Sequence, residues 1–207
     1  MTPSKDYFEG VITYNISYKP YSDTYDADKL KDYIGSKMIL TFKNGNFKKE
    51  YYSRDGLLLN VRFCDLQEKK AYSQNNKNDT IYWIDITKND SETTFKRIKD
   101  SIILGYKSRA LETHSTVRMN IYSNKPMEIS GKYYFAKELA VDPNWYEDYN
   151  EGNYNEIIKV GEGMQLIIIN NGIFWTQEIV VKKVEKRGIN EAEIKINIPE
   201  NAIFKEL

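Results

Sequence analysis

Met38-Ile39-Leu40-Thr41-Phe42-Lys43-Asn44-Gly45-Asn46-Phe47-Lys48-Lys49-Glu50-Tyr51 is the stretch that decides the architecture. Met38, Leu40 and Phe42 alternate with Ile39, Thr41 and Lys43, the period of a half-buried strand. Asn44-Gly45 follows, two residues that tolerate the positive φ of a primed turn, so the chain reverses there. Phe47, Lys49 and Tyr51 then share one face of the returning strand. The chain is built of β-hairpins, and the same grammar extends in both directions.

Toward the N-terminus, Ile12, Tyr14, Ile16 and Tyr18 alternate with Val11, Thr13, Asn15 and Ser17 until Pro20 ends the strand. Asp26 caps a short helix over 27–34, with Leu30, Tyr33 and Ile34 at helical spacing and Gly35 as its stop. Toward the C-terminus, Arg54-Asp55-Gly56 turns the chain, and Leu57, Leu59, Val61 and Phe63 share a face. Residues 65–69 turn again before a short strand over 70–74 and a polar loop over 75–79. Tyr82, Ile84 and Ile86 alternate with Ile81, Trp83 and Asp85, and 89–92 form a loop. Strands follow near 94–98, 101–106, 108–113, 116–123 and 131–137.

Residues 141–160 break the rhythm as a long loop with a helical turn inside 147–159. Met164 to Ile169 is apolar on both faces apart from Gln165, which predicts a central strand covered on both sides. Asn170-Asn171-Gly172 makes a second hairpin, 173–186 one long strand, and 187–190 a turn. Ile194, Ile196 and Ile198 alternate as a last strand, which Pro199 ends. A single domain over 1–207 is expected, mainly β, with ten or more antiparallel strands. Such a sheet twists and curls. Two short helices cannot cover it flat, so a curved sheet or half-barrel with those helices on its concave face solves the burial problem.

Composition narrows the function. The 207 residues carry 30 Lys and Arg against 30 Asp and Glu, a formal net charge of +0, which excludes the basic field of a general nucleic-acid binder. Mean hydropathy is −0.64. Yet 14% of residues are aromatic, with 17 tyrosines, and chains that stay disordered lack aromatics. Cys64 stands alone, so no intramolecular disulfide forms, and a lone thiol fits a reducing compartment or an export that does without disulfides. His114 is also alone, which excludes the usual multi-histidine zinc site. No run approaches the length of a membrane-crossing helix. Met1 to Asp6 lacks the pattern of a signal peptide, and fits both a cytosolic start and a segment that follows a removed signal.

Four pieces together resemble a group of exported bacterial proteins related to the LolA/LolB-like superfamily and to GLPGLI-type proteins. They are Phe8-Glu9-Gly10-Val11-Ile12-Thr13-Tyr14; Ile103-Leu104-Gly105-Tyr106-Lys107; Tyr133-Tyr134-Phe135-Ala136-Lys137-Glu138-Leu139 with Val141-Asp142-Pro143; and Val181-Lys182-Lys183-Val184-Glu185 leading to Ile198-Pro199-Glu200. Ser108 stands where the family often has a cysteine. The resemblance implies a curved antiparallel half-barrel with helices on its concave face and an apolar cavity between them. It implies a protein of the periplasm or outer membrane with its signal removed, and a lipid or lipoprotein as ligand. It supplies no catalytic residues, and no lipid-attachment cysteine stands near the start.

Candidate residues follow from these expectations. Trp145, Tyr146 and Tyr149 sit on the long loop and either form a lid over a pocket or pin the loop to the sheet. Trp83 and Trp175 lie in strands and either line a ligand cavity or pack the core. Glu147, Asp148 and Glu151 offer oxygen to calcium, but their spacing does not match an EF-hand loop, and a solvated acidic loop is the simpler reading. His114 has no nucleophile or orienting partner at a useful spacing. Gly161-Glu162-Gly163 is a turn before a strand, and Cys64 a packing residue. No catalytic residue, metal or cofactor is assigned. A non-catalytic protein that binds a lipid, acyl chain or lipoprotein is expected first, an interaction module of the envelope with a protein partner second, and a hydrolase with a carboxylate pair last.

Overall fold

A computed structural model describes residues 6–77, 79–89, 91–117 and 126–207. It contains the strands β1 (Gly10–Pro20), β2 (Lys37–Lys43), β3 (Asn46–Tyr52), β4 (Leu58–Asp65), β5 (Lys70–Asn75), β6 (Thr80–Asp85), β7 (Ser91–Ile103), β8 (Tyr106–Val117), β9 (Met127–Ala140), β10 (Gly163–Asn171), β11 (Trp175–Lys186) and β12 (Ile203–Glu206). The helices are α1 (Ala27–Tyr33), α2 (Tyr154–Gly161) and α3 (Glu191–Ile194), with 3-10 turns at Pro143–Tyr146 and Glu151–Asn153. All twelve strands belong to one sheet, in the order β12-β6-β5-β4-β3-β2-β1-β11-β10-β9-β8-β7. Neighbours are antiparallel except β12, which runs parallel to β6.

The connection from β6 to β7 forces this sheet to curve. The two strands lie ten steps apart in the sheet order, about 48 Å if the sheet were flat. Only residues 86–90 join them, and that length of chain reaches roughly 20 Å. The sheet therefore rolls until β6, with β12 paired along its free edge, comes near β7 across a gap. Asn153 bridges it: Asn89 Nδ2 donates to Asn153 Oδ1 at 2.9 Å, and Asn153 Nδ2 donates to Thr93 Oγ1 at 2.8 Å. The fold is thus mainly β, one curved sheet with α1 and α2 against its inner side.

The inner face begins with β1. Gly10, Ile12, Tyr14, Ile16 and Tyr18 are all buried, while Asn15, Ser17 and Lys19 are exposed. Asp26 caps α1 as its position predicts, accepting from the amides of Asp28 and Lys29, both at 2.8 Å. Asp32 of α1 accepts from Arg54 Nε at 2.8 Å, which fixes the helix to the β3–β4 turn. α2 buries Ile157 and Ile158, and Arg109 donates to the Val160 carbonyl at 2.6 Å, satisfying the C-terminal end of the helix.

Several expectations need correction. Residues 94–98 and 101–106 are not two strands but one, β7, which reverses at Leu104-Gly105 with φ of 48° and 83°. That is a primed two-residue turn with leucine in its first position. β8 takes in the strand expected over 108–113, and the one expected over 116–123 lies mostly outside the described residues. β10 is central, but Ile167 and Ile169 on its outer side are only half-buried. The expected strand through Ile194, Ile196 and Ile198 is α3 followed by irregular chain. Asn190 accepts from the Glu193 amide and Glu193 accepts from the Asn190 amide, a capping box that holds α3 against the local alternation. α3 covers the outer face, where Ile189 and Ile194 pack on Phe63 with Val11 and Tyr72 beside them.

The Asn44-Gly45 turn is held from inside the roll. Gly45 has φ of 82°, and a Cβ there would lie 2.6 Å from Leu66 Cδ1 and 3.0 Å from Trp145 Cβ. Gly56 has φ of 83° with nothing within 4 Å of a Cβ. Gly45→Ala should therefore cost about 2–4 kcal/mol in urea unfolding, and Gly56→Ala about 1 kcal/mol. Equal costs would show that the turn is not packed as described.

Candidate functional site

The segment after β9 fills one half of the rolled sheet. Asp142 accepts from the Asn144 amide at 3.1 Å and starts a 3-10 turn with Pro143 at its head. That turn drives Tyr146 inward until it is 1% exposed, and its hydroxyl donates to the Gly45 carbonyl at 2.6 Å. Tyr149 and Tyr154 pack beside it, with ring centroids 4.7 Å apart. Tyr14 donates to the Gln165 carbonyl at 2.7 Å and Tyr18 to the Gly35 carbonyl at 3.0 Å. Tyr14, Tyr18 and Tyr146 thus enter the core with their hydroxyls satisfied, which removes the penalty of burying them.

This plug leaves almost no space beneath α2. The cavity lined by Tyr14, Met38, Leu40, Tyr146, Ile158 and Met164 measures about 20 Å³, enough for about one water molecule. The family resemblance implies an apolar cavity at that place; aromatic side chains occupy it instead.

The other half of the inner face is open. A cleft of about 390 Å³ lies between β3–β6 and the plug, bordered by Phe47, Lys49, Arg62, Ser73, Glu151 and Tyr154. Arg62 also borders a space of about 340 Å³ that runs on toward α1 past Tyr51 and Asn60. Glu151 also borders an opening of about 490 Å³ toward β8 and β9, where Thr113 and Tyr133 line the wall.

Pleating puts these side chains inside. Phe47 pairs with Cys64, Lys49 with Arg62, and Tyr51 with Asn60 across β3 and β4. Ser73 of β5 pairs with Arg62 and continues the row. Lys49 and Arg62 are therefore like charges directly opposite each other, an unfavourable arrangement in a sheet. Lys49 Nζ lies 4.8 Å above the Phe47 ring, and the Arg62 guanidinium 5.8 Å above the Tyr51 ring. Among the described residues no carboxylate comes within 4.0 Å of either cation. Burial, reinforced by Arg62, pushes the Lys49 ammonium down to about 8. Glu151 stands at the rim with its outer side in water; the protein against its inner side raises its carboxyl, and Arg62 and Lys49 oppose that rise.

The expected site residues scatter around this cleft. Tyr149 borders it, and Tyr146 lies deeper in the plug. Trp145 packs on Tyr7 and Phe42 at the Asn44-Gly45 end, with ring centroids at 4.9 and 6.2 Å. The Trp145–Tyr149 stretch is thus packed against the sheet at its Trp145 end and borders the cleft at Tyr149. Trp175 lies at the opposite end beside Tyr18, Tyr25 and Phe174. Trp83 pairs with Tyr72, has Lys70 Nζ 4.3 Å above its ring, and is among the residues that border the cleft. Glu147, Asp148 and Glu151 do not converge: Asp148 pairs with Lys69 at 2.9 Å, and Glu151 turns to the cleft.

Cys64 is fully buried between Phe47 and Ala71, and burial pushes its thiol up to about 12. His114 faces outward with its side chain 62% exposed. Among the described residues no three His, Cys, Asp or Glu side chains gather to hold a metal ion, and no helix is long and apolar enough to cross a membrane. Lys49 and Arg62 were not singled out by sequence reasoning, and Glu151 was considered only as an oxygen donor to calcium. The available signal was Lys49 itself, a charge sharing a strand face with Phe47 and Tyr51.

Keeping Lys49 charged inside costs stability. The folded state holds its proton less tightly than the unfolded chain does, so stability rises with pH from about 8 to about 10.5. Lys49→Met keeps the stem and removes the charge. It should gain on the order of 1–3 kcal/mol at pH 7 in urea unfolding, with the gain shrinking toward pH 10.5. A loss of stability at pH 7 would mean that the ammonium has a stabilising partner.

No family model matches the chain, and no curated protein matches it. Among solved structures, the crystal structure of LprF from Mycobacterium bovis is similar over 93% of this chain and 90% of that chain, at 9% identity and a TM-score of 0.31.

Proposed function

We propose that this chain is a non-catalytic binding module of the cell envelope that takes a lipid, an acyl chain or a similar slender amphiphile into the open half of its concave face. The observation that carries the reading is the uneven filling of the interior. One side of the roll is packed down to about 20 Å³, while the adjoining side keeps a cleft of about 390 Å³. A pocket of that size with a mostly apolar wall and a few polar groups is the usual form of a small-ligand site. Phe47, Ala71, Ile84, Tyr149 and Tyr154 supply the apolar wall here.

The absence of catalysis is part of the proposal. It is supported by the inertness of the Cys64 thiol and by the place of His114 on the outer face, away from the cleft. The envelope location rests on the sequence resemblance, and fractionation of the producing cells tests it.

A second reading is an interaction module whose sheet serves as a scaffold. The filled space beneath α2 favours it. The two readings part on one measurement. Delipidated protein titrated with a fluorescent acyl probe should show saturable micromolar binding. Ser73→Trp, which projects a large ring into the cleft, should abolish that binding and leave the circular dichroism unchanged. Absence of saturable binding to the parent protein would leave the scaffold reading in place.

A further inference from the structure

We infer that the ligand of the inner cleft carries an anionic head, a carboxylate or a phosphate, held between Lys49 and Arg62. This rests on the reading of the cleft as a ligand site and names the chemistry that the site selects.

The argument begins with the treatment of charge on the two faces of β3. On the outer face Lys48 pairs with Glu50 at 3.8 Å. Lys43, at the end of β2, pairs with Glu191 at 3.1 Å. On the inner face Lys49 sits directly across from Arg62, and the described residues give neither a carboxylate at ion-pair distance. Two opposed cations on adjacent strands repel, and Lys49, the less exposed of the two, needs a partner as it is drawn from water. The Phe47 and Tyr51 rings beneath them orient both groups but do not neutralise them. A carboxylate that acts on both cations is Glu151, which stands on the 3-10 turn at the rim.

An anion placed between the two strands would relieve the repulsion and complete both cations. Arg62 presents the planar fork that matches a carboxylate or phosphate, and Lys49 presents a point charge beside it. Ser73 and Tyr82 border the same space and can donate hydroxyl hydrogen bonds. Beyond the charged pair, Ala71, Ile84, Tyr149 and Tyr154 offer an apolar wall for a hydrocarbon tail. Arg62 also borders the space toward α1, so the head has room on either side of the guanidinium. Glu151 is then a competitor for the cations when the ligand is absent.

Calorimetric titration of the full chain tests this with dodecanoate, dodecyl phosphate, dodecyl maltoside and inorganic phosphate, each below its micelle threshold. Both anionic amphiphiles should bind at least about tenfold tighter than the neutral maltoside. Arg62→Gln and Lys49→Gln should each weaken anionic binding by about tenfold and leave maltoside unchanged, while Glu151→Gln should tighten it. Arg62 is exposed, so its variant keeps the test valid even where Lys49→Gln perturbs folding. Saturable binding of inorganic phosphate with the same dependence on Arg62 would support the anion site and assign it to a free anion. Equal affinity for charged and neutral heads, unmoved by any variant, would overturn the inference while leaving the cleft as a ligand site. No saturable binding of any probe would overturn the reading of the cleft itself.

Discussion

Residues 86–90 tie strands from opposite ends of the sheet order, and the chain between them is less than half as long as a flat sheet would require. The rest of the molecule follows from this tether. It turns a twelve-stranded sheet into a roll, gives that roll an inside, and leaves a gap between β7 and the β6–β12 end of the sheet. Asn150 and Glu151 both donate their backbone amides to the Ile86 carbonyl, at 2.8 and 3.0 Å. The tether thus serves also as the anchor for the start of the inner segment that leads into α2. Ile86 itself is 1% exposed, so the connection enters the core at that residue.

Inside the roll, apolar and polar groups are segregated. Tyrosines can fill the interior because their hydroxyls find backbone carbonyls: Tyr146 at Gly45 and Tyr14 at Gln165 beneath α2, and Tyr18 at Gly35 near α1. A chain with a mean hydropathy of −0.64 builds a dense core this way, spending aromatic area where other folds spend aliphatic residues. The half facing β3–β6 keeps its space and two opposed cations. A sheet selected for stability alone would place an apolar pair at Lys49 and Arg62. The local conflict marks the place where folding and function ask for different residues.

Much of the fold was legible in local patterns. Asn44-Gly45 made the turn it promised, Asp26 capped its helix, and the row from Ile12 to Tyr18 became the buried face of β1. The failures have particular causes. The alternation of Ile194, Ile196 and Ile198 lost to the Asn190–Glu193 capping box. The strand breaks expected near residue 100 did not occur, because a register shift between Ile98 and Ser101 lets β7 run on to Leu104-Gly105. Trp83 pairs with Tyr72 across β5 and β6 and borders the cleft with it, a position that alternation within β6 does not reveal.

β4 shows where local reading ends. Its alternation separates Val61 and Phe63 from Arg62 and Cys64, and the apolar row looks like the inner one. In the structure Phe63 packs outward beneath α3, while Arg62 and Cys64 face in. By itself the sequence determined the strands, the turns, the capped helix and the need for curvature, because these depend on neighbours two to four residues apart. Only the tertiary structure decided which face of each strand is the inside and how far the interior is filled. Those outcomes depend on groups as distant as Lys49, Arg62 and Glu151, which meet only when the sheet has rolled.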